Sequence, residues 1–297
     1  GSVDLREETA RLRWSASTPD VAPFGRVAEQ AVRGRVRASG GLAGPWAAPV
    51  ITATIRGGGL GWRGVDVGAV EADARLALGP QQLTVGALSV DGPLGKVAGR
   101  AELGLAGRQR LKADLSVRGV DLGRLPLGGL PVGGRLDGSL TAGGRLSAPT
   151  VRGKLRVLKP RYDRLTLRRL DVDGGWDGAR VRVDTLSLAD ADGERLSAQG
   201  HFTPKGGRFD GQVRLMGLDL ALVNRFLPEP IPLRGRVTAT LGGAGTVTDP
   251  KGDGRVILED IAFGELELGE GALTVSADGQ MLMLRGPVFE AFEIDAA

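Results

Sequence analysis

The sequence predicts an all-β protein, an elongated and repetitive antiparallel β-sheet with an open hydrophobic groove and one short connecting helix. Three observations predict it. A segment of about 25 residues recurs three times, as VRGRVRASGGLAGPWAAPVITATI (Val32 to Ile55), VGGRLDGSLTAGGRLSAPTVRGKLRV (Val132 to Val157) and LRGRVTATLGGAGTVTDPKGDGRVIL (Leu233 to Leu258). Gly34, Gly134 and Gly235 open the copies, spaced by 100 and 101 residues, and Pro49, Pro149 and Pro250 keep the same step. Apolar and polar residues alternate within each copy, the period of a strand that is wet on one side. Finally, 49 of 297 residues are glycine without a three-residue period, while 41% are hydrophobic, which fits turns, bulges and close backbone approach in a folded β-array and excludes both collagen and disorder. An array of this kind buries apolar surface between neighbouring units and offers a long surface in place of one pocket.

The elements follow in order. In the first copy Val32, Val36 and Ala38 oppose Arg33, Arg35 and Arg37. Val132, Leu136 and Leu140 share a face in the second, against Arg135, Asp137 and Ser139. Gly143 and Gly144 then mark a turn, and the next strand begins past Pro149 with Val151, Gly153, Leu155 and Val157 opposite Arg152, Lys154 and Arg156. The third copy places Leu233, Val237, Ala239 and Leu241 on one face, and Val256 and Leu258 continue the apolar row on its returning strand. These apolar positions (Val32, Val36, Val132, Leu136, Leu140, Val151, Leu155, Val157, Leu233, Val237, Leu241, Val256 and Leu258) are the candidate groove lining; the competing reading of every one is the interior of a closed sandwich.

A looser repeat occupies the second half of each module. LTVGALSVDGPLGKVAGRAEL (Leu83 to Leu103) matches VRVDTLSLADADGERLSAQGHF (Val181 to Phe202), with Leu88 answering Leu186 and Gly99 answering Gly200, and MLMLRGPVFEAFEI (Met281 to Ile294) begins a third version. Alternation shifts from Val181 and Val183 to Leu186 and Leu188, the signature of a β-bulge. Between modules, Asp219 is placed to cap a short helix through Leu220, Val223, Asn224 and Leu227, stopped by Pro228 and Pro230, with a weaker turn at Asp121 to Leu125. The repeat divides the chain into modules 1–130, 131–230 and 231–297 of one continuous array. Gly1 and Ser2 read as a cloning remnant, and the chain as a piece of a longer protein.

Chemistry is sparse. There is no cysteine, so disulfides and thiolate metal sites are excluded. The single histidine, His201, lies in a strand-like stretch without a nucleophile motif and reads as structural. Carboxylate pairs Glu7 and Glu8, or Asp190 and Asp192, resemble turn residues more than a glycosidase pair. The glycine runs Gly57 to Gly61 and Gly128 to Gly134 lack a phosphate-loop lysine and read as turns. Asn224 is the sole asparagine, against the Asn ladders and calcium loops of parallel β-helices. Charges nearly balance, 39 Lys and Arg against 35 Asp and Glu, and with aromatics at 4% the chain does not read as a nucleic-acid binder. Trp14, Trp46, Trp62 and Trp176 read as packing residues rather than sugar platforms. No apolar run is long enough for a membrane-spanning helix.

The segments GGRLDGSLTAGGRLSAPTVRGKLRV (Gly133 to Val157) and RGRVTATLGGAGTVTDPKGDGRVIL (Arg234 to Leu258), with the connecting VRGVDLGRLPL (Val117 to Leu127) and MGLDLALVNRFLP (Met216 to Pro228), resemble the TamB family and the wider AsmA-like proteins over nearly the whole chain. The resemblance implies a taco-shaped β-sheet in the periplasm of a diderm bacterium, belonging to a protein anchored in the inner membrane. It also implies phospholipid transport toward the outer membrane or, alternatively, outer-membrane and autotransporter protein assembly with a barrel partner of the TamA or BamA type. No enzymatic activity and no cofactor are expected. The residues add a mechanism: a gutter of small apolar side chains shields acyl chains, and a uniform wall lets them slide. A strand-templating scaffold, an adhesin stalk and a polysaccharide-acting β-helix enzyme are the remaining alternatives.

Overall fold

A computed structural model describes residues 2–4, 9–23, 31–107, 109–126, 130–163, 165–191, 193–223, 231–279, 281–288 and 292–296. Strands account for 79% of the chain and helical turns for 3%, in an antiparallel sheet that does not close into a barrel. The chain divides into two compact units, Gly1–Arg156 and Val157–Ala297.

The first unit is a meander of β1 (Ser2–Asp4), β2 (Thr9–Thr18), β3 (Val32–Pro45), β4 (Val50–Trp62), β5 (Val65–Ala77), β6 (Gln82–Gly92), β7 (Gly95–Gly104), β8 (Arg110–Asp121), β9 (Val132–Arg145) and β10 (Ala148–Tyr162), whose last residues enter the second unit. Each strand pairs antiparallel with its predecessor and its successor. After β11 (Leu165–Thr166), the second unit continues as β12 (Arg169–Trp176), β13 (Val181–Ala189), β14 (Glu194–Thr203), β15 (Arg208–Asp219), β16 (Leu233–Thr246), β17 (Asp249–Phe263), β18 (Leu266–Asp278), β19 (Met281–Val288) and β20 (Phe292–Ala296). It follows the same antiparallel plan.

The repeat is conformational as well as lexical. Gly34, Gly134 and Gly235 adopt φ of 117°, 126° and 125°, and Gly44, Gly144 and Gly245 are also positive. Gly59, Lys159 and Asp260 share φ of 60°, 49° and 53°, again 100 and 101 residues apart. The two sets are connected physically: a Cβ on Gly34 would lie 2.7 Å from the Gly59 carbonyl oxygen, and one on Gly235 would lie 2.9 Å from that of Asp260. Gly34 and Gly235 therefore let their strands pass against the left-handed bulge of the next, as close backbone approach demands.

Two features differ from the sequence-based expectation. Gly143 and Gly144 lie inside β9, and the turn falls at Leu146 and Ser147, so Pro149 is already the second residue of β10. Gly57 to Gly61 form no turn either; they belong to β4, where the pairing with β5 shifts register around Leu60. Positive-φ glycines serve a bulge as readily as a turn, and residue type alone does not separate the two. Gly133 and Gly134 begin β9, while Gly128 and Gly129 lie outside the described residues.

The connecting helix is present as Leu220–Val223, with Asp219 Oδ1 accepting a hydrogen bond from the Ala221 amide at 2.8 Å. Asn224, Leu227, Pro228 and Pro230 lie outside the described residues. The weaker turn is a 3-10 helix, Leu122–Arg124, capped by Asp121 through the Gly123 amide. The bulge expected between Val183 and Leu186 is found there, and β6 carries its counterpart between Val85 and Leu88. Register corrects one equivalence. Leu88 faces Gly99 but Leu186 faces Ala198, so the counterpart of Gly200 is Ala101.

Candidate functional site: an exposed apolar sheet face

Antiparallel pairing places apolar residues in ranks that run across the strands. In the first unit Leu42, Ile51, Leu76, Leu83, Leu103 and Leu111 face one another in succession from β3 to β8. Two residues along each strand lies a rank of small side chains, Ala53, Ala74, Val85, Ala101, Ala113 and Ala142. The next contains Ile55, Ala72, Leu88, Gly99, Leu115 and Leu140, and the fourth Val36, Gly57, Val70, Val90, Val97 and Val117. Glycines in these ranks are recesses for neighbouring leucines: a Cβ at Gly99 would meet Leu115 Cδ2 at 2.5 Å, and one at Gly153 would meet Leu140 Cδ2 at 2.6 Å. Alternating large and absent side chains keeps the face packed laterally without a second layer above it.

The second unit has the same construction. Leu186, Ala198, Val213, Leu241, Gly254 and Val275 form one rank. Leu188, Leu196, Leu215, Ala239, Val256 and Leu273 form its neighbour. On the other side Val183 leads into Gly200, Gly211, Gly243 and Gly252, four bare backbone positions on four consecutive strands. Beyond them stand Val181, Phe202, Phe209, Gly245 and Pro250. The glycine rank, with Leu186, Val213 and Leu241 on one side and Phe202, Phe209 and Pro250 on the other, lines a concave apolar trough of about 450 Å³.

The face is not sealed. Among the described residues the buried apolar side chains are Ala10, Ala77, Val120, Val157, Ala189, Ala239 and Ile261, and none is completely buried. The chain exposes 19473 Å², whereas two compact globules of half its mass would together expose roughly 14,000 Å². Of the thirteen predicted lining residues, Val157 is buried and Val32, Val36, Val132, Leu136, Leu140, Val151, Leu155, Leu233, Val237, Leu241, Val256 and Leu258 are half-buried. Register brings Val237 opposite Leu258, Leu136 opposite Val120 and Leu140 opposite Leu115. The residues of β5 to β8 and β12 to β15 were not among those predicted. Their alternation is the same, but the bulges interrupt its phase. Trp46 does not fill a core; it is 53% exposed in the β3–β4 turn. Trp14 lies on the apolar face over Gly40, Trp62 is 39% exposed and Trp176 is half-buried.

The opposite face is ionic. Arg56 Nε donates to Glu71 at 2.8 Å, Arg100 Nε to Asp114 at 2.8 Å, and Lys251 Nζ approaches Asp278 at 2.9 Å. The hydrogen bond and charge of Glu71 raise the Arg56 guanidinium above its ordinary value, and those of Asp278 do the same for the Lys251 ammonium. At the β12–β13 turn the Asp177 carboxylate accepts hydrogen bonds from the Arg180 and Ala179 amides, which hold it below the usual aspartate range. His201 Nδ1 lies 3.0 Å from Asp210 on the exposed surface, and Asp190 is engaged by Arg195 at 2.6 Å; Glu7, Glu8 and Asp192 lie outside the described residues. Among the described residues no group of three or more His, Cys, Asp or Glu is placed to hold a metal ion, and no helix is long and apolar enough to cross a membrane.

No family model matches the chain, and neither a curated protein nor a solved structure matches it.

Proposed function

We propose that this chain is a segment of a lipid conduit of the TamB or AsmA-like kind, shielding phospholipid acyl chains on its apolar face as they cross the periplasm from the inner to the outer membrane. The observation that carries the reading is the unbroken succession of half-exposed apolar ranks over consecutive strands of each unit. Hydrocarbon laid on them leaves water at about 0.8 kcal/mol per methylene, so a sixteen-carbon tail gains on the order of 10 kcal/mol before ordering costs. The backbone groups beneath are engaged in the strand ladder, and the ranks offer few side-chain hydrogen bonds. This favours aliphatic cargo over sugar or peptide. An anchor in the inner membrane and an outer-membrane barrel of the TamA or BamA type complete the proposal as partners.

The test is organic extraction of protein purified without detergent, followed by mass spectrometry of the lipids. The conduit reading expects phospholipid in the wild-type extract and at least a tenfold loss in Leu136→Asp, Leu155→Asp and Val237→Asp variants that keep their β-sheet circular dichroism. A lipid-free wild type that instead binds unfolded outer-membrane strand peptides, unaffected by these substitutions, overturns it in favour of an assembly scaffold.

A further inference from the structure

The apolar face is not the even slide that a uniform repeat suggests. In the second unit the rank at Gly200, Gly211, Gly243 and Gly252 has no side chains, and it runs across four strands. Strands lie about 4.8 Å apart, so this floor is about 14 Å long, and the flanking ranks stand two residues away on either side, about 7 Å each. One wall is Leu186, Val213 and Leu241; the other is Phe202, Phe209 and Pro250. The volume of about 450 Å³ falls within the range of about 300–1,000 Å³ typical of ligand sites. Its length and narrowness suit a linear chain; the polar residues that also border it, Gln199, His201, Asp210, Gln212, Lys251 and Asp253, alternate with the floor and wall positions along their strands and so direct their side chains to the opposite face. The phenylalanine wall ends at the β14–β15 turn, where Arg208, alternating with Phe209, belongs to the opposite face with Asp210 and Arg214.

We propose that this trough is a resting site for one acyl chain, lying along the glycine floor. The inference rests on the conduit reading and adds to it a position of longer dwell. The equivalent of this site in the first unit is occupied by Ala101, Ala113 and Ala142, flanked by Leu103 and Leu111, so the cargo there lies on methyl groups instead of a recess.

The test uses the full chain, stripped of lipid, with a photoactivatable diazirine analogue of hexadecanoic acid added below one equivalent, followed by peptide mapping. The expected result is labelling concentrated at least fivefold on peptides of β13–β18 over those of β3–β9. Ala198→Trp, which fills the trough from its Leu-rich side, should cut that labelling at least fivefold and leave the first unit unchanged. Even labelling of both units overturns the resting site while the conduit stands. Labelling of neither apolar face overturns both.

Discussion

The two units are built on one repeat yet treat the same rank differently. Ala101, Ala113 and Ala142 carry methyl groups where Gly200, Gly211 and Gly243 carry none, and Leu103 and Leu111 stand where Phe202 and Phe209 do. The substitution of glycine for alanine is coupled to backbone approach: a Cβ on Gly211 would lie 2.6 Å from the Gln199 carbonyl oxygen, and one on Gly243 would lie 2.9 Å from that of Lys251. Depth in the trough and closeness of the strands beneath it are therefore one property. A single-layer sheet can acquire a pocket without a second layer if one rank is stripped to backbone and its neighbours are enlarged.

The largest expected effect comes from removing what both units share. Gly235→Val places a branched side chain at φ 125° against the Asp260 and Glu259 carbonyls, both 2.9 Å from its Cβ, and should cost about 3 kcal/mol or more by urea unfolding. Converting the first unit toward the second is the sharper comparison. Ala101→Gly, Ala113→Gly and Ala142→Gly together should lower stability by about 2 kcal/mol through backbone entropy, and with Leu103→Phe and Leu111→Phe should create a second region of acyl labelling. Unchanged labelling would show that the recess depends on more than this rank. A smaller effect of opposite sign is expected at the repeated bulge. Lys159→Gly should stabilise by about 1 kcal/mol, because a left-handed conformation costs a side chain that much, and Gly59→Ala should destabilise by a similar amount with nothing within 4 Å of the new methyl. Smallest of all, Glu71→Gln breaks an ion pair between two exposed side chains, where solvent screening leaves little to lose; its unfolding midpoint should stay within error of the wild type.

Much of the fold was legible because strand alternation and the 100-residue step are one-dimensional signals. The Asp219 cap and the Val183 to Leu186 bulge follow from local chemistry and were read correctly. Turn placement was not, since Gly143 and Gly144 adopt a strand path and pass the reversal on to Leu146 and Ser147. The trough was hidden for a different reason. Gly200, Gly211, Gly243 and Gly252 are unremarkable in sequence and become a floor only when four strands are set in register, and the two-residue difference between Gly99 and Ala101 as counterpart of Gly200 is enough to misplace it. The half-exposed state of Leu140 or Leu155 is likewise a property of the missing second layer, which no alternation pattern encodes.

That missing layer is the centre of the account, and the natural absence of cysteine makes it measurable. Single cysteines at Leu140, Leu155, Leu196 and Leu215, on the apolar face, and at Thr141 and Arg214, on the ionic one, would be exposed to a bulky water-soluble maleimide in the folded, lipid-stripped protein. Reaction on both faces within about tenfold of each other, with protection of the apolar set alone by added hexadecanoic acid, is the predicted result. Apolar-face cysteines that stay unreactive until urea unfolds the chain would mean a sealed interior, and would contradict it.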